Sequence, residues 1–580
     1  MADQKIDNLL NLVMDATPQE RTKSKSLNVG YDSATKVWDV IVKYSGSENV
    51  LDGDRIQAVP LLGGYAVVTL PEAEINAYSE REQVEFIEKP KRLCFETFQA
   101  REASCITELQ RESAAGTPMG LTGKGVLVGV VDSGVDVFHP DFRNEDGSSR
   151  ILRLWDQSLD GNPPEGYTTG TEYTKEEIDK ALALGETEGR RLVLSRDFSG
   201  HGTAVLGIAA GNGRASDGIN RGVAYESELL VVKMGNIRKS SFPKTTKLME
   251  GIDYLIRQSL KMRKPIAINI SFGNNYGSHQ GDSLLETYIS NVANVGRSVI
   301  CVGSGNNGND RIHTAGQVTQ GGAVTVEMGI GSYESTLNLQ LWKAYADEIE
   351  ISIETPAGEH LGVLSEKIGT QRYHTGETDL LLYYGKPGPF QVTQEIYFDF
   401  IPTGTYLTSG IWKIHLYGRR IKEGNYNLWL PGGNVLNPVT GFYRPVATET
   451  LTIPSTAAKV ITVGAYDSRL NAYADFSGRG GGGLPYPKPD LVAPGVAITA
   501  PAPEGSYASV TGTSFSTPFV TGSAALLMEW GIVRKNDPFL WGEKVKAYLR
   551  RGTKSLPGFD RYPNESVGWG RLCLESSLPD

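Results

Sequence analysis

The chain has 580 residues, of which 39% are hydrophobic and 21% charged, which describes a folded globular protein rather than a disordered one. A formal charge of −10 argues against nucleic acid as the main partner. No apolar run approaches the length of a membrane span, so no membrane span is expected.

The opening stretch, MADQKIDNLLNLVMDATPQERTKSK, is amphipathic and charged. It lacks an apolar core followed by a small-residue cleavage site, so no secretory signal is read. Residues 1–99 are expected to form a small α+β module, with strands in KVWDVIVKYSG and GYAVVTLP and helical stretches over Gly53–Val59 and Glu72–Ser79. A mixed, polar linker runs from residue 96 to 125.

From residue 125 the pattern changes. GVLVGVVD is a continuous apolar run ending in an acid, as in a buried parallel strand. SELLVVKM, PIAINISFG and RSVICVGSGNNG repeat it, and KLMEGIDYLIRQSL between them has helical spacing. Strands alternating with helices predict a doubly wound, mostly parallel α/β domain over 100–322, resuming at AKVITVGAY and filling 447–580. The intervening residues 323–446 hold short strands separated by Gly/Pro-rich turns and predict an inserted all-β jelly roll. It is expected to brace the core or dock, without a catalytic role. His360, His374 and His415 lie in it and show no metal-like spacing.

Cys94, Cys105, Cys301 and Cys573 are far apart and form neither a CxxC pair nor a recognisable disulfide framework. The expectation is a reducing compartment, the cytoplasm, compatible with non-classical export.

Three residues carry candidate chemistry. Asp132 ends the run GVLVGVVD, and the carboxyl ends of such strands are where ligands bind in open α/β sheets. Asp136 and Asp141 are rivals in the same loop. His201 stands between two glycines at the head of an apolar helical run. Ser514 opens SFSTPFVTGSAALLM, where Pro518 is expected within the first helical turn. That serine reads either as an N-cap or as a nucleophile whose oxyanion is held by helix-terminal N–H groups. The order Asp132, His201, Ser514 is one of the chain orders of a serine triad. The GxSxG motif and serine–acid–histidine order of an α/β-hydrolase are both missing.

VVDSGVDVFHPDF, HGTAVLGIAAG and GTSFSTP, together with PDLVAPG and the closing GWGRL, resemble the motifs of subtilisin-like serine proteases, or subtilases. Ser516 departs from the family's usual alanine. The resemblance implies a serine endopeptidase with an Asp132–His201–Ser514 triad and Asn306 as an oxyanion-hole donor, Asn307 being its rival. It also implies that Ser271, Phe272 and Gly273 pair with an extended substrate and that Ser304 and Gly305 wall the pocket for the residue before the cut. Asp141 matches a calcium ligand of many subtilases, but GNGRASDGINRGVA departs from the calcium-loop pattern, so no metal and no required cofactor are assigned. A leading module, a subtilase core and a β insertion are similar in layout to the Csp germination proteases of clostridial spores. That layout implies self-processing of an N-terminal prodomain between Leu93 and Ser104, with the bond Gln99–Ala100 favoured. It further implies that the cut prodomain stays bound and that a cortex-degrading hydrolase is activated by limited proteolysis. A catalytically inactive, binding or signalling protein on the same fold is the alternative.

Overall fold

A computed structural model describes residues 5–579 apart from 25–26, 34, 92–93, 96–101, 111–118, 236–242, 365, 368 and 433–434. The chain forms two compact units, one of 1–92, 274–284 and 309–453, the other of 93–273, 285–308 and 454–580.

The second unit is built on a nine-stranded sheet. Its central strands, in spatial order, are Ile461–Asp467, Ser298–Gly303, Ile266–Ile270, Leu127–Asp132, Glu228–Lys233 and Ile151–Asp156, all parallel. Antiparallel strands Ala472–Tyr473 and Thr171–Thr174 close the two ends of this order. The central strands are buried on both faces, which is why they read as unbroken Val/Ile/Leu runs instead of alternating. Helices His201–Ala210 and Thr513–Met528 are buried all round and pack on each other and on this sheet. The expected mostly parallel α/β core is present.

At the edge of the core, Asp490 is fully buried and gathers three cations. It accepts from Arg550 at 2.8 Å, lies 3.3 Å from Lys488 and 3.2 Å from Lys546, and also accepts the Thr462 N–H at 2.7 Å. These charges hold its carboxyl well below the usual range despite burial. The aspartate of PDLVAPG therefore ties the last helix, Gly542–Gly552, to the sheet.

The first unit contains a five-stranded antiparallel sheet from residues 31–88 and two further antiparallel sheets of six and five strands from residues 313–442. The last two enclose one apolar core that includes Leu339, Phe398, Trp412 and Leu416. The helix expected over 53–59 is instead the start of the strand Gln57–Leu61, paired with Tyr65–Pro71. Pro60 is tolerated there because this strand is an edge. The two-sheet region starts earlier than residue 323, since His313–Gln317 pairs with Asn425–Trp429. Its sequence, HTAGQ, has no hydrophobic run to announce a strand. Leu381, Tyr383, Tyr397 and Ile401 of the inserted region share a core with Leu10, Val13, Leu27 and Trp38 of the first 99 residues.

One cysteine expectation is overturned. Cys105 and Cys573, 468 residues apart, are joined as a disulfide with Cα atoms 4.8 Å apart, within ordinary disulfide reach. Spacing along the chain carries no signal for such a long-range pair. Cys301 is a free, buried thiol whose pKa burial pushes up to about 12. Replacing Cys573 by Ser is expected to lower stability by about 2–5 kcal/mol under oxidising conditions. Thermal unfolding with and without reductant checks this: wild type should fall towards the variant in reductant, and the variant should not respond.

Candidate functional site

The strand Leu127–Asp132 runs to the carboxyl edge of the parallel sheet and delivers Asp132 there, fully buried. Parallel strands place their carboxyl ends along one edge, so side chains from distant motifs converge. His201 is the first residue of its helix, and its Nδ1 lies 2.6 Å from Oδ1 of Asp132. That oxygen also accepts the Ser133 N–H at 2.7 Å. Donation from Nδ1–H to the carboxylate fixes the tautomer and leaves the imidazole lone pair on Nε2. Close approach explains Gly202: a Cβ there would sit 2.1 Å from the Gly134 carbonyl and 3.1 Å from Asp132.

Ser514 lies in the first turn of Thr513–Met528 and is 1% exposed. The helix is capped by Gly512 at φ 150, a conformation that side-chain-bearing residues rarely adopt, and has no side-chain cap. Ser514 is therefore not the N-cap, and its backbone N–H belongs to the set left without intrahelical partners. Pro518 lies beyond the first turn, contrary to the expectation. It has no N–H to give the carbonyl four residues earlier, which is that of Ser514. The Ser271 hydroxyl takes that carbonyl at 3.0 Å. In return the Ser271 carbonyl lies 3.4 Å from Oγ of Ser514. The proline thus frees a backbone acceptor that docks the serine's turn onto the segment Ser271–Gly273.

The His201 ring stands 5.2 Å from that of Phe515, the residue after the serine, and 6.2 Å from that of Phe272. Asn306 approaches the same turn: its Oδ1 accepts the Thr513 N–H at 3.0 Å and the Thr513 hydroxyl at 3.2 Å. Both acceptor contacts fall on oxygen, so the amide presents its NH₂ end as a donor. Gly305 joins through its N–H to Thr513 Oγ1 at 3.2 Å, and Ser304 is buried beside it.

Phe272 and Gly273 are occupied on their ladder side. They pair antiparallel with Phe95 and Cys94, in the register Phe272–Phe95 and Gly273–Cys94. Gln99 and Ala100 lie outside the described residues. Asp136 and Asp141 are not partners of His201. Asp136 accepts from the Phe138 and Glu504 N–H groups. Both carboxylate oxygens of Asp141 are taken by protein donors, the Ala215 N–H at 2.9 Å and the Tyr507 hydroxyl at 2.7 Å, while Arg150 bonds its carbonyl at 3.1 Å. A calcium ion does not fit a carboxylate satisfied by donors beside a guanidinium. Sequence reasoning missed the Ser271 hydroxyl's bond to the Ser514 carbonyl; Pro518, four residues after the serine, was the signal that an outside donor is needed there.

The subtilase family model matches residues 123–381 and 423–570, and the chain belongs to that family. Residues 4–91 match the Csp protease B prodomain. The chain is similar to the solved structure of the Clostridium perfringens CspB protease, at 35% identity and a TM-score of 0.74, covering 82% of this chain and 95% of that one. It is 33% identical over 151 residues to the serine protease AprX of Bacillus subtilis, covering 23% of this chain and 32% of that protein. To subtilisin BL of Lederbergia lenta it is 34% identical over 114 residues, covering 20% of this chain and 38% of that protein. The chain thus spans about a third of the length of the curated relatives it matches.

In the oxyanion-hole role that the family resemblance implies for it, Asn306→Ala is expected to lower kcat by about 10²–10³ with KM little changed. Steady-state hydrolysis of a chromogenic peptide measures it.

Proposed function

We propose that the chain is a serine endopeptidase that cuts its own prodomain. The observation carrying the catalytic reading is the buried 2.6 Å contact between His201 and Asp132, beside the turn that holds Ser514. In this reading Ser514 Oγ attacks the scissile carbonyl carbon while Nε2 of His201 takes its proton. Asp132 holds the tautomer and stabilises the imidazolium; its Oδ2 is buried without a hydrogen-bond partner among the described residues, so the charge is poorly solvated. The oxyanion is held by the Ser514 N–H and the Asn306 amide. Collapse expels the amine, which takes its proton from His201, and water then hydrolyses the acyl-enzyme by the same steps in reverse.

Pairing of Cys94–Phe95 with Phe272–Gly273 supports self-processing, because a substrate of this kind binds as an added strand. The register favours a cut nearer than Gln99. Phe95 faces Phe272, and Ser271, whose backbone is linked to Ser514, stands one residue further along that segment, which favours a cut one residue past Phe95. The proposed bond is therefore Glu96–Thr97. The two antiparallel sheets of the insertion are read as a jelly roll that holds the cut prodomain through the apolar core they share. Activation of a spore-cortex hydrolase is the role that similarity to the CspB protease suggests.

Intact-mass analysis with a fluorophosphonate probe tests this. Wild type should label at Ser514 and give two co-purifying fragments split after Glu96, and Ser514→Ala should stay whole. An unlabelled Ser514 in processed protein removes the peptidase reading in favour of a binding protein. Cleavage of Ser514→Ala at the same bond assigns the cut to another protease, and a split after Gln99 overturns the register argument alone.

Retention of the prodomain has a pH signature. Asp7 and Glu88 share a pocket with Glu395 of the insertion, together with Lys91 and Lys386. Burial pushes Glu395 from 4.5 up to about 8, with Lys91 opposing and Asp7 adding repulsion. Burial, then Glu88, pushes Asp7 from 3.8 up to about 6. Both folded values lie above the unfolded ones, so the folded state binds more protons between them. The contribution is fully present below about pH 4 and is lost as pH rises towards about 8. After cleavage, less prodomain should co-elute on gel filtration at pH 9 than at pH 6, and Glu395→Gln should flatten that dependence.

A further inference from the structure

The outer face of the insertion's five-stranded sheet carries two histidines and a glutamate with no role in the chemistry above. Glu354 ends the strand Glu348–Glu354, and His360 opens the neighbouring strand His360–Leu364, at the edge of the sheet. His415 lies in Gly410–Arg420 on the other side. The antiparallel register sets Glu354 directly opposite His360 and diagonal to His415, which faces Ser352. Diagonal neighbours on one sheet face are within reach of long side chains. Nε2 of His415 is 3.4 Å and Nε2 of His360 3.9 Å from Oε2 of Glu354. One ligand atom from each of the three lies within 4.8 Å of the other two.

We propose that Glu354, His360 and His415 form a zinc site that clamps the edge strand of the insertion to its second neighbour. Two imidazoles and one carboxylate suit Zn²⁺, and three protein ligands leave a fourth position for water. Tetrahedral bonds of about 2.0–2.2 Å set ligand atoms roughly 3.4 Å apart. The cluster closes to that spacing by small rotations, chiefly of His360, whose side chain is 65% exposed.

The surroundings are arranged for it. Nδ1 of His415 lies 2.9 Å from the Thr325 hydroxyl; donation of Nδ1–H to that oxygen puts the lone pair on Nε2. That Nε2 is buried and, among the described residues, lacks a hydrogen-bond partner, a cost that a metal bond removes. Lys413 holds the other carboxylate oxygen, Oε1, at 2.7 Å, which leaves Oε2 facing both rings.

The test is zinc titration of the purified full-length chain against a chromophoric chelator, with thermal unfolding in parallel. Wild type should bind one zinc more tightly than His360→Ala, His415→Ala and Glu354→Gln, each by more than about tenfold, and zinc should raise the melting temperature of wild type alone. Thr325→Val should weaken binding by about 10–100-fold as the loss of an orienting partner. His374→Ala, an exposed histidine paired with Asp379 elsewhere in the insertion, should bind as wild type does. Equal affinity and stoichiometry in wild type and the three ligand variants, or a loss of equal size in His374→Ala, overturns the proposal. Because hydrolysis at Ser514 is not the readout, its outcome is independent of the peptidase reading.

Discussion

The hydrogen bond between His201 and Asp132 depends on the parallel sheet being assembled first. Its partners are separated by 69 residues, and neither element can orient the other until the strand Leu127–Asp132 is flanked by Ile266–Ile270 and Glu228–Lys233. Parallel pairing needs long crossovers, so every contact at the sheet's carboxyl edge is non-local and its loop-closure entropy must be offset before it stabilises anything. The strand Cys94–Phe95 suits that constraint, because it supplies a partner to Phe272–Gly273 at the place where the last motif must dock.

Backbone chemistry positions the serine as much as side chains do. Gly512 permits the turn, Pro518 withdraws a donor, and Ser271 satisfies the carbonyl that the proline leaves. The segment that would pair with substrate is therefore the same one that fixes the serine's turn. In the proposed reading a change at Ser271 reaches both functions at once. Asn306 completes the turn from a different strand end by spending its oxygen on Thr513 and leaving its nitrogen as the donor.

Within the first unit, the leading module and the insertion share one apolar core, so neither buries its full hydrophobic face alone. Ser24 of the module donates to the buried Asp399 of the insertion at 2.7 Å, a polar contact inside this apolar setting that fixes their register. The pocket bounded by Asp7, Glu88 and Glu395 sits within the same unit, and the carboxyls of Asp7 and Glu395 resist ionisation because water is excluded from them. Hydrophobic burial, which does not vary with pH, and unfavourable charging, which grows as pH rises, thus oppose each other on one surface.

The sequence by itself determined whatever is encoded by local pattern. Unbroken apolar runs specified the parallel strands, alternation specified several strands of the insertion, and three motifs in order singled out Asp132, His201 and Ser514. It failed where the physical cause was a partner far along the chain. Gln57–Leu61 is a strand because an edge tolerates Pro60, and HTAGQ is one because a neighbouring strand supplies its hydrogen bonds. Cys105 meets Cys573 across 468 residues, and His360 meets His415 only through the register of the strands that carry them. Pairing and register are set by burial of whole faces and by closure of the sheets, so these proximities exist only once the tertiary structure is formed.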